Sequence, residues 1–251
     1  MLNLQEENQN MNQPKKIVII GATSGIGRKM AEIYSNNGHQ VGISGRRLDL
    51  LQEIKQQFPQ QLEYECFDVT KPDIKLHLEA LVNKLGGLDI LIISAGGGDV
   101  SKELSWSLDK LTIDTNVNGF AEIANWGFNY FVQQGYGSLA TISSIASLRG
   151  NSWAPAYSAS KAFQSNYFEG LSVKAKRMKK NISVTCIEPG FVDTKMAKGD
   201  KKIWVMPVEK AANRIIEAIE KKKRRSYLST RWWIVAKLLK FLPFWIYKKI
   251  G

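Results

Sequence analysis

The sequence predicts an α/β fold, in which a doubly wound and mainly parallel sheet of seven strands carries helices on both faces. Short apolar runs alternate with helical stretches from residue 16 to about residue 200, as is typical of parallel strands joined by right-handed crossovers. The chain has 251 residues, of which 44% are hydrophobic and 23% charged, so one ordinary core is expected. We place this single domain at residues 15–230.

The first predicted strand, residues 17–20, is a continuous β-branched run of the kind that is buried on both faces. It leads to a helix from about residue 25 to 37, with Ile26 and Met30 on one face and Gly38 in the C-cap position. Later strands are predicted at 40–44, 62–67, 88–93, 138–143, 182–187 and 226–229. Because ligands bind beyond the carboxyl ends of such strands, the residues that follow each strand form the candidate site.

The composition argues against several classes of protein. Cys66 and Cys186 stand far apart, so no disulfide framework is readable and a reducing cytoplasm is expected. With His39 and His77 they form no closely spaced ligand set, and we expect no metal site. Residues 1–14 are rich in Asn, Gln and Glu and lack the features of a signal peptide, so we expect a mobile extension there.

A glycine-rich turn, Gly-Ala-Thr-Ser-Gly-Ile-Gly at residues 21–27, follows the first predicted strand. Glycines let the backbone turn sharply and approach a pyrophosphate, and the N-terminus of the next helix offers free N–H groups to the phosphates. The spacing is G-x-x-x-G-x-G, and a glycine cluster alone also serves ordinary turns. Its place between a buried strand and a helix indicates a dinucleotide site.

The second predicted strand ends near Gly45, and Arg46 and Arg47 follow it. A site for NAD usually has a carboxylate here for the ribose 2′-hydroxyl, whereas a guanidinium suits a 2′-phosphate that a carboxylate would repel. We therefore predict NADP(H) over NAD(H). The competing interpretation is a solvated helix start, but cations at a helix N-terminus oppose its dipole.

Tyr157 and Lys161 stand four residues apart and share a face if this stretch is helical. A free phenol, with a pKa near 10, is a poor acid–base catalyst at neutral pH. A neighbouring ammonium and a nicotinamide cation would both favour the phenolate and lower that pKa. Taken alone, such a pair is more often an ordinary contact on a helix surface.

With Asn116 and Ser144, this pair resembles the catalytic set of the classical short-chain dehydrogenases/reductases, a family with a Rossmann-like fold. Each matching motif is weak alone, but their joint order and spacing over residues 15–200 are highly specific. The motifs are Gly21-x-x-x-Gly25-x-Gly27, Asp68-Val69, Ala95-Gly96, Asn116-Val117-x-Gly119, Ser144, Tyr157-x-x-x-Lys161 and Pro189-Gly190-x-x-x-Thr194.

The resemblance implies a role for each residue of this set. Tyr157 would exchange a proton with the substrate oxygen, and Lys161 would bind the nicotinamide ribose and lower the pKa of the tyrosine. Ser144 would hydrogen-bond the carbonyl or alcohol, and Asn116 would hold a water in a proton relay. Hydride would pass between the nicotinamide and the substrate carbon, with the protein supplying orientation and electrostatics.

The residues expected to bind the cofactor come from the resemblance and from the strand-end argument. They are Gly21, Thr23, Ser24, Gly25, Ile26, Gly27, Arg46, Arg47, Asp68, Val69, Ser94, Ala95, Gly96, Tyr157, Lys161, Pro189, Gly190, Val192 and Thr194. Ser94 departs from the family, which commonly has asparagine there. Because serine lacks the two donors of the amide, we expect a rearranged contact beside the adenine pocket.

Positive charge is concentrated near the C-terminus. The chain has a formal charge of +12, of which residues 201–251 carry +11, from 14 basic and 3 acidic residues. Before this tail, residues 191–206 stand where the family has a mobile substrate lid. The candidate apolar walls of that lid are Phe191, Met196, Trp204 and Met206.

Residues 231–251 form a basic, aromatic tail that we expect to be helical, and its apolar run is too short and too charged to span a membrane. Two interpretations stay open. The tail lies in a membrane interface, helped by the basic cluster at 221–225, or it packs over the substrate pocket or a subunit interface.

We therefore expect a cytoplasmic oxidoreductase, peripheral to a membrane if the tail binds lipid, that acts with NADP(H) on an apolar or lipid-like carbonyl or alcohol. The resemblance implies a homodimer or homotetramer through helices that include residues 163–176. The alternative is a catalytically silent NADP(H)-binding sensor or interaction protein. We expect no nucleic-acid binding, because the tail aromatics cluster with aliphatic residues instead of standing singly among charges.

Overall fold

One parallel sheet of seven strands forms the centre of the computed structural model, which describes residues 14–99, 103–195 and 203–249. The strands are β1 (Lys16–Ile20), β2 (Gln40–Gly45), β3 (Leu62–Cys66), β4 (Ile90–Ile93), β5 (Tyr136–Ile142), β6 (Asn181–Ile187) and β7 (Arg225–Ser226). All adjacent strands pair in parallel, in the order β3-β2-β1-β4-β5-β6-β7. The predicted doubly wound α/β class is confirmed.

Helices cover both faces of the sheet. They are α1 (Gly25–Asn36), α2 (Leu48–Gln57), α3 (Ile74–Leu85), α4 (Trp106–Ile113), α5 (Phe120–Gln134), α6 (Pro155–Arg177), α7 (Val208–Glu220), α8 (Thr230–Phe241) and α9 (Phe244–Tyr247). Alternate residues of β1 point to opposite faces, so Ile17 and Ile19 join the core under α1, α2 and α7. Val18 and Ile20 join the core under α3, α5 and α6. This two-sided burial explains the continuous apolar run of β1.

Three of the predicted segments fall partly outside the described residues. The predicted N-terminal extension lies outside them except for Pro14, and so do residues 196–202 of the predicted lid, Met196 among them, and residues 250–251 of the tail. Elsewhere the boundaries shift by a few residues. The last strand is Arg225–Ser226 and does not reach residue 229, because the hydroxyl of Ser229 instead accepts a hydrogen bond from the backbone N–H of Trp232 at the start of α8.

The long helical stretch that holds Asn116 is not a regular α-helix. Between α4 and α5 the chain takes a π-helical turn from Asp114 to Gly119, a distortion that is frequent at functional sites. Gly119 in this turn packs so closely that a Cβ atom there would collide with the carbonyl oxygen of Val69. The turn buries Asn116 completely, which the helical pattern alone did not predict.

The strand order reverses between β1 and β4, which places the ligand crevice at their carboxyl ends. Gly21 follows β1 with φ +88°, and a Cβ atom there would lie 2.5 Å from the Cα atom of Ala95, just after β4. Only a glycine fits this crossing of two backbones. The glycine-rich turn and the segment after β4 therefore meet at the switch point.

Candidate active site

Lys161 is buried on α6, where it faces the carboxyl end of β5. Its side chain is 4% exposed, and Nζ donates to the carbonyl oxygen of Ile142 at 3.0 Å and to Oε1 of Gln164 at 2.9 Å. Burial disfavours the ammonium and lowers the pKa of Lys161 to about 8. The site therefore holds a lysine that loses its charge at mildly alkaline pH.

Tyr157 lies one helical turn before Lys161, beside Ser144. The Lys161 ammonium stands 5.8 Å from the centroid of the phenol ring. Burial raises the pKa of Tyr157, and a hydrogen bond with Ser144 partly offsets that rise. The pKa of the phenol is thus raised in the protein without cofactor, which is opposite to the direction expected from a lysine neighbour. The N–H groups of Lys161 point at Ile142 and Gln164. Desolvation therefore has a larger effect on the pKa of Tyr157 than the lysine does.

Ser144 follows β5 and begins a short 3₁₀ helix, Ile145–Leu148, whose first turn it caps by accepting from the N–H of Ala146 at 3.1 Å. This cap holds its hydroxyl at the carboxyl edge of the sheet. The Ser144 side chain therefore lies beside Tyr157, where it lowers the pKa of the phenol. One oxygen of a substrate could contact both hydroxyls.

The side chain of Asn116 is hydrogen-bonded to the loop after β4. Its Oδ1 accepts from the N–H of Gly97 at 2.9 Å, and its Nδ2 donates to the carbonyl of Gly97 and to Oγ of Ser160. Its backbone carbonyl accepts from Nε2 of Gln164 at 3.0 Å. The role expected for Asn116, the holding of a relay water, stays a prediction.

Two residues of this site were missed by the sequence reasoning. Gln164 joins Lys161 to Asn116 through its amide, and a buried polar residue three positions after Lys161 was the available signal. Gly98 packs against Tyr157 so tightly that a Cβ atom there would lie 2.8 Å from Cγ of the phenol ring. Of the three glycines at residues 96–98, only Gly96 matched a family motif and was predicted to bind the cofactor.

The glycine-rich turn and the segment after β6 approach each other across the crevice. A Cβ atom at Gly25, which has φ +59°, would lie 3.4 Å from Cγ2 of Thr194. Gly27 packs under the turn, near the carbonyl of Gly21 and Oγ of Ser94. The short serine thus fills a place next to Gly27, where the sequence predicted an altered contact.

Both predicted phosphate-binding arginines lie at the end of β2. Arg47 reaches back to the glycine-rich turn, where Nη2 donates to Oγ1 of Thr23 at 2.5 Å and to Oγ of Ser24 at 2.9 Å. Arg46 is more exposed and stands 3.7 Å from the Asp68 carboxylate. Arg47 therefore lies against the glycine-rich turn, whereas Arg46 faces Asp68, and β2 ends on Gly45, which supplies no carboxylate.

The predicted carboxamide-side segment continues directly from β6. The carbonyl of Pro189 accepts from the N–H of Ile145 at 2.9 Å, which ties this segment to the loop of Ser144. Val192 is buried and bridges to Met206. Further cofactor candidates sit on the same carboxyl edge of the sheet: Ile26 in α1, Val69 after β3, and Ala95 and Gly96 after β4. With Tyr157 and Lys161 on α6 after β5, the predicted cofactor residues thus follow each of the strands β1 to β6.

The tail helices α8 and α9 cover this edge with one face. Trp232 is buried against Gly190, where a Cβ atom would overlap the indole, and its ring lies 5.8 Å from Phe191 and 5.9 Å from Trp204. Arg149 donates to the carbonyl of Leu242 at 2.7 Å and stacks on Tyr247. One interpretation of the tail was that it packs over the pocket, and its inner face is the part that packs at this edge.

The outer face of the tail is apolar and rimmed by lysines. Its large exposed side chains are Trp233, Ile234, Leu238, Phe241, Phe244 and Trp245. Phe241, the most exposed, has 82% of its surface accessible. No helix among residues 14–99, 103–195 and 203–249 is both long and apolar enough to cross a bilayer. Within the same ranges, no group of three His, Cys, Asp or Glu side chains could hold a metal ion.

Comparison with solved structures bears on the fold. A short-chain dehydrogenase from Burkholderia cenocepacia in complex with NADP superposes with a TM-score of 0.79 at 16% identity, over 95% of this chain and 98% of that one. A 3-ketoacyl-(acyl-carrier-protein) reductase from Brucella melitensis complexed with NADH gives 0.75 at 18% identity, over 85% and 95%. At these identities the likeness supports the fold alone.

Comparison of sequences settles the family. The model of the short chain dehydrogenase family matches residues 15–203. An uncharacterized oxidoreductase of Myxococcus xanthus is 37% identical over 71% of this chain and 72% of its own length. One from Mycobacterium tuberculosis is 30% identical over 91% and 92%. The chain therefore belongs to the classical short-chain dehydrogenase/reductase family and is an oxidoreductase that depends on a nicotinamide cofactor.

Proposed function

We propose that the protein transfers hydride between NADP(H) and a carbonyl or alcohol carbon, with Tyr157 as the acid–base residue. The observation that carries this proposal is the grouping of buried Lys161 with the half-buried Tyr157 and Ser144 at the carboxyl edge of the sheet. The glycine-rich turn that would hold the pyrophosphate opens onto the same edge. No other described cluster combines these groups with a nucleotide crevice.

The residues present fit a nicotinamide nucleotide. Gly21 and Gly25 take positive φ angles where a side chain would be strained, and the N-terminus of α1 follows them directly. Thr194 closes the turn from the opposite side. Gly21, Gly25 and Thr194 would therefore hold the pyrophosphate side, and Lys161 the nicotinamide ribose.

In the proposed reaction, each catalytic side chain acts on the substrate oxygen or on Tyr157. When bound, the cofactor supplies hydride to the substrate carbon or takes it up. Ser144 donates a hydrogen bond that fixes the substrate oxygen, and Tyr157 Oη gives its proton to that oxygen in reduction. Burial raises the pKa of Tyr157, and in the proposed reaction the Lys161 ammonium, 5.8 Å from the ring centroid, favours the phenolate that remains.

The preference for NADP(H) is supported by the two arginines after β2. Arg47 is fixed by Thr23 and Ser24, and Arg46 stands beside it on the surface. Titration of the purified protein with each cofactor, followed by nicotinamide fluorescence, tests this preference. We expect NADPH to bind more tightly than NADH, and the reverse order would refute the assignment.

The aromatic lining around Trp232 supports an apolar substrate. Phe191 and Trp204 each contact Trp232 beside the segment that follows β6, and aromatic surface favours apolar ligands. A panel of ketones and aldehydes from short polar to long-chain and steroid-like compounds tests this. We expect kcat/KM to rise with apolar size, and a preference for short polar substrates would contradict it.

A catalytically silent sensor is the second candidate, because homologous pockets can bind nucleotide without turnover. The presence of Asn116, Ser144, Tyr157 and Lys161 together favours the enzyme. Tyr157→Phe separates the two candidates: an enzyme loses nearly all turnover and keeps its affinity for cofactor. A wild-type protein that binds NADPH but reduces nothing in the panel supports the sensor instead.

Oligomerisation through α5 and α6 is part of the proposal, since the family is typically oligomeric. Phe163 and Tyr167 of α6 stack at 5.6 Å, and both are only partly buried. On α5, Trp126 and Tyr130 are likewise partly buried. Light scattering should give the mass of a dimer or tetramer, and a monomer at micromolar concentration would refute this part.

We also propose a peripheral location, with the outer face of the tail on an anionic lipid surface. Its exposed aromatics lie among Lys237, Lys240, Lys248 and Lys249, and no acidic residue follows Glu220. Apolar side chains with adjacent cations suit a membrane interface. Flotation of the full chain with anionic vesicles should exceed that of a Phe241→Ser/Trp245→Ser variant, and equal flotation would remove the proposal.

A further inference from the structure

Gln164 forms a two-ended bridge inside the active site. Its Oε1 accepts from Nζ of Lys161 at 2.9 Å, and its Nε2 donates to the backbone carbonyl of Asn116 at 3.0 Å. The residue is 1% exposed, so water does not compete for these bonds. The amide of Gln164 therefore hydrogen-bonds both of the residues that flank the proposed reaction centre.

The bridge ends on the distorted part of the helix that carries Asn116. Asn116 lies in the π-helical turn at Asp114–Gly119, a distortion that is frequent at functional sites. Its backbone carbonyl accepts a hydrogen bond from α6. Gln164 thus joins this turn to α6 across 48 residues of the chain.

We propose that Gln164 is a positioning residue, which aims the Lys161 ammonium by tying it to the backbone carbonyl of Asn116. The amide presents an acceptor to Lys161 and a donor to that carbonyl, so its orientation is fixed at both ends. Gln164 therefore holds Lys161 in one direction before any cofactor arrives. The inference about catalysis rests on the proposed function, but the bridge itself does not.

A purely structural glutamine would fill space and satisfy the Asn116 carbonyl without affecting the lysine. The two roles differ in what they do to the charge of Lys161. Its other partners are the Ile142 carbonyl, the Tyr157 ring on its own helix and the Cys186 thiol on β6. Burial raises the pKa of Cys186 to about 12, so that thiol stays neutral and does not mask the effect of Gln164.

The test titrates Lys161 directly in the cofactor-free protein. Lysine labelled with ¹³C and ¹⁵N gives a side-chain resonance whose shift follows protonation, assigned by its loss in Lys161→Arg. Gln164→Met keeps the length of the side chain and removes the strong acceptor, so the titration midpoint should fall by about one pH unit. Gln164→Glu places a carboxylate there, so the midpoint should rise.

Ser165→Ala is the matched control, because Ser165 is also buried on α6 and hydrogen-bonded, with Ser143 as its partner. It should leave the midpoint within about 0.2 pH units of wild type. An unchanged midpoint in Gln164→Met would overturn the proposal. Should that variant fail to fold, an unchanged midpoint in Gln164→Glu would overturn it equally. This readout needs no turnover, so a failure of the proposed reaction and a failure of the bridge are distinguishable.

Discussion

Substitution of Gly98 by alanine should displace the catalytic tyrosine without touching its chemistry. The added methyl would lie 2.3 Å from Cδ2, 2.8 Å from Cγ and 3.0 Å from Cβ of Tyr157, where ordinary contacts begin at 3.4 Å. Cβ and Cγ are near the tyrosine backbone, so the clash is not relieved by moving the far end of the side chain alone. The ring must therefore retreat by about 1 Å, a misplacement that costs up to about 100-fold in rate.

The assay for Gly98→Ala is kcat/KM for NADPH-dependent reduction of the best substrate in the panel, together with the Kd for NADPH. Gly97→Ala is the matched control, because a Cβ atom at Gly97 meets nothing within 4 Å. We expect about a 10–100-fold loss in Gly98→Ala and less than about a 3-fold loss in Gly97→Ala, with NADPH affinity kept in both. Equal activities of the two variants would refute the claim that Gly98 makes room for Tyr157.

Three further predictions follow from contacts in the site. Arg47→Ala should weaken NADPH binding by about 10-fold and NADH binding by much less, since a bidentate guanidinium contact to phosphate is lost; equal losses in fluorescence titrations would contradict this. The pKa of Lys161 falls to about 8 on folding. Below that pH the buried charge lowers the free energy of unfolding, and this destabilisation disappears as the pH rises toward the pKa that Lys161 has in the unfolded chain. Between pH 7 and 9.5, wild type should gain about 2 kcal/mol over Lys161→Met in urea unfolding, and a constant difference would refute the assigned burial. Arg149→Ala should speed hydrogen exchange at residues 239–247, because its bonds to Leu239 and Leu242 hold the end of α8, and unchanged exchange would contradict that anchoring.

The sheet was predictable because its signals are local. The apolar run of β1 and the periodic pattern of α1 each arise from neighbouring residues, and the crossover rule supplies the parallel pairing. The boundaries were less predictable where tertiary contacts decide them. At β7, the short strand ends because Leu228 is drawn into the core and Ser229 caps α8.

The candidate site was predictable in its residues but not in its electrostatics. The spacing of Tyr157 and Lys161 identified the pair, yet the raised pKa of Tyr157 depends on burial that no spacing reveals. Gln164 escaped notice because its partner Asn116 lies in a π-helical turn, which has no clear sequence signal. A polar residue on the buried face of α6 was a clue that local reasoning could have used.

The tail illustrates an alternative that sequence could not decide. The same helix, α8, has a buried inner face at Trp232 and Ala236 and an exposed apolar outer face. The inner contact exists because Gly190 leaves room for the indole, a pairing between residues 42 positions apart. Packing over the site and exposure of an apolar surface are thus properties of opposite faces of the tail.

Isotope transfer tests the central claim most directly. NADPH carrying deuterium at the transferring position of C4 is incubated with the protein and the best carbonyl of the panel, and the product is analysed by mass spectrometry. We expect one deuterium on the former carbonyl carbon and almost none with Tyr157→Phe. A reduced product without that deuterium, or undiminished labelling in the variant, would contradict it.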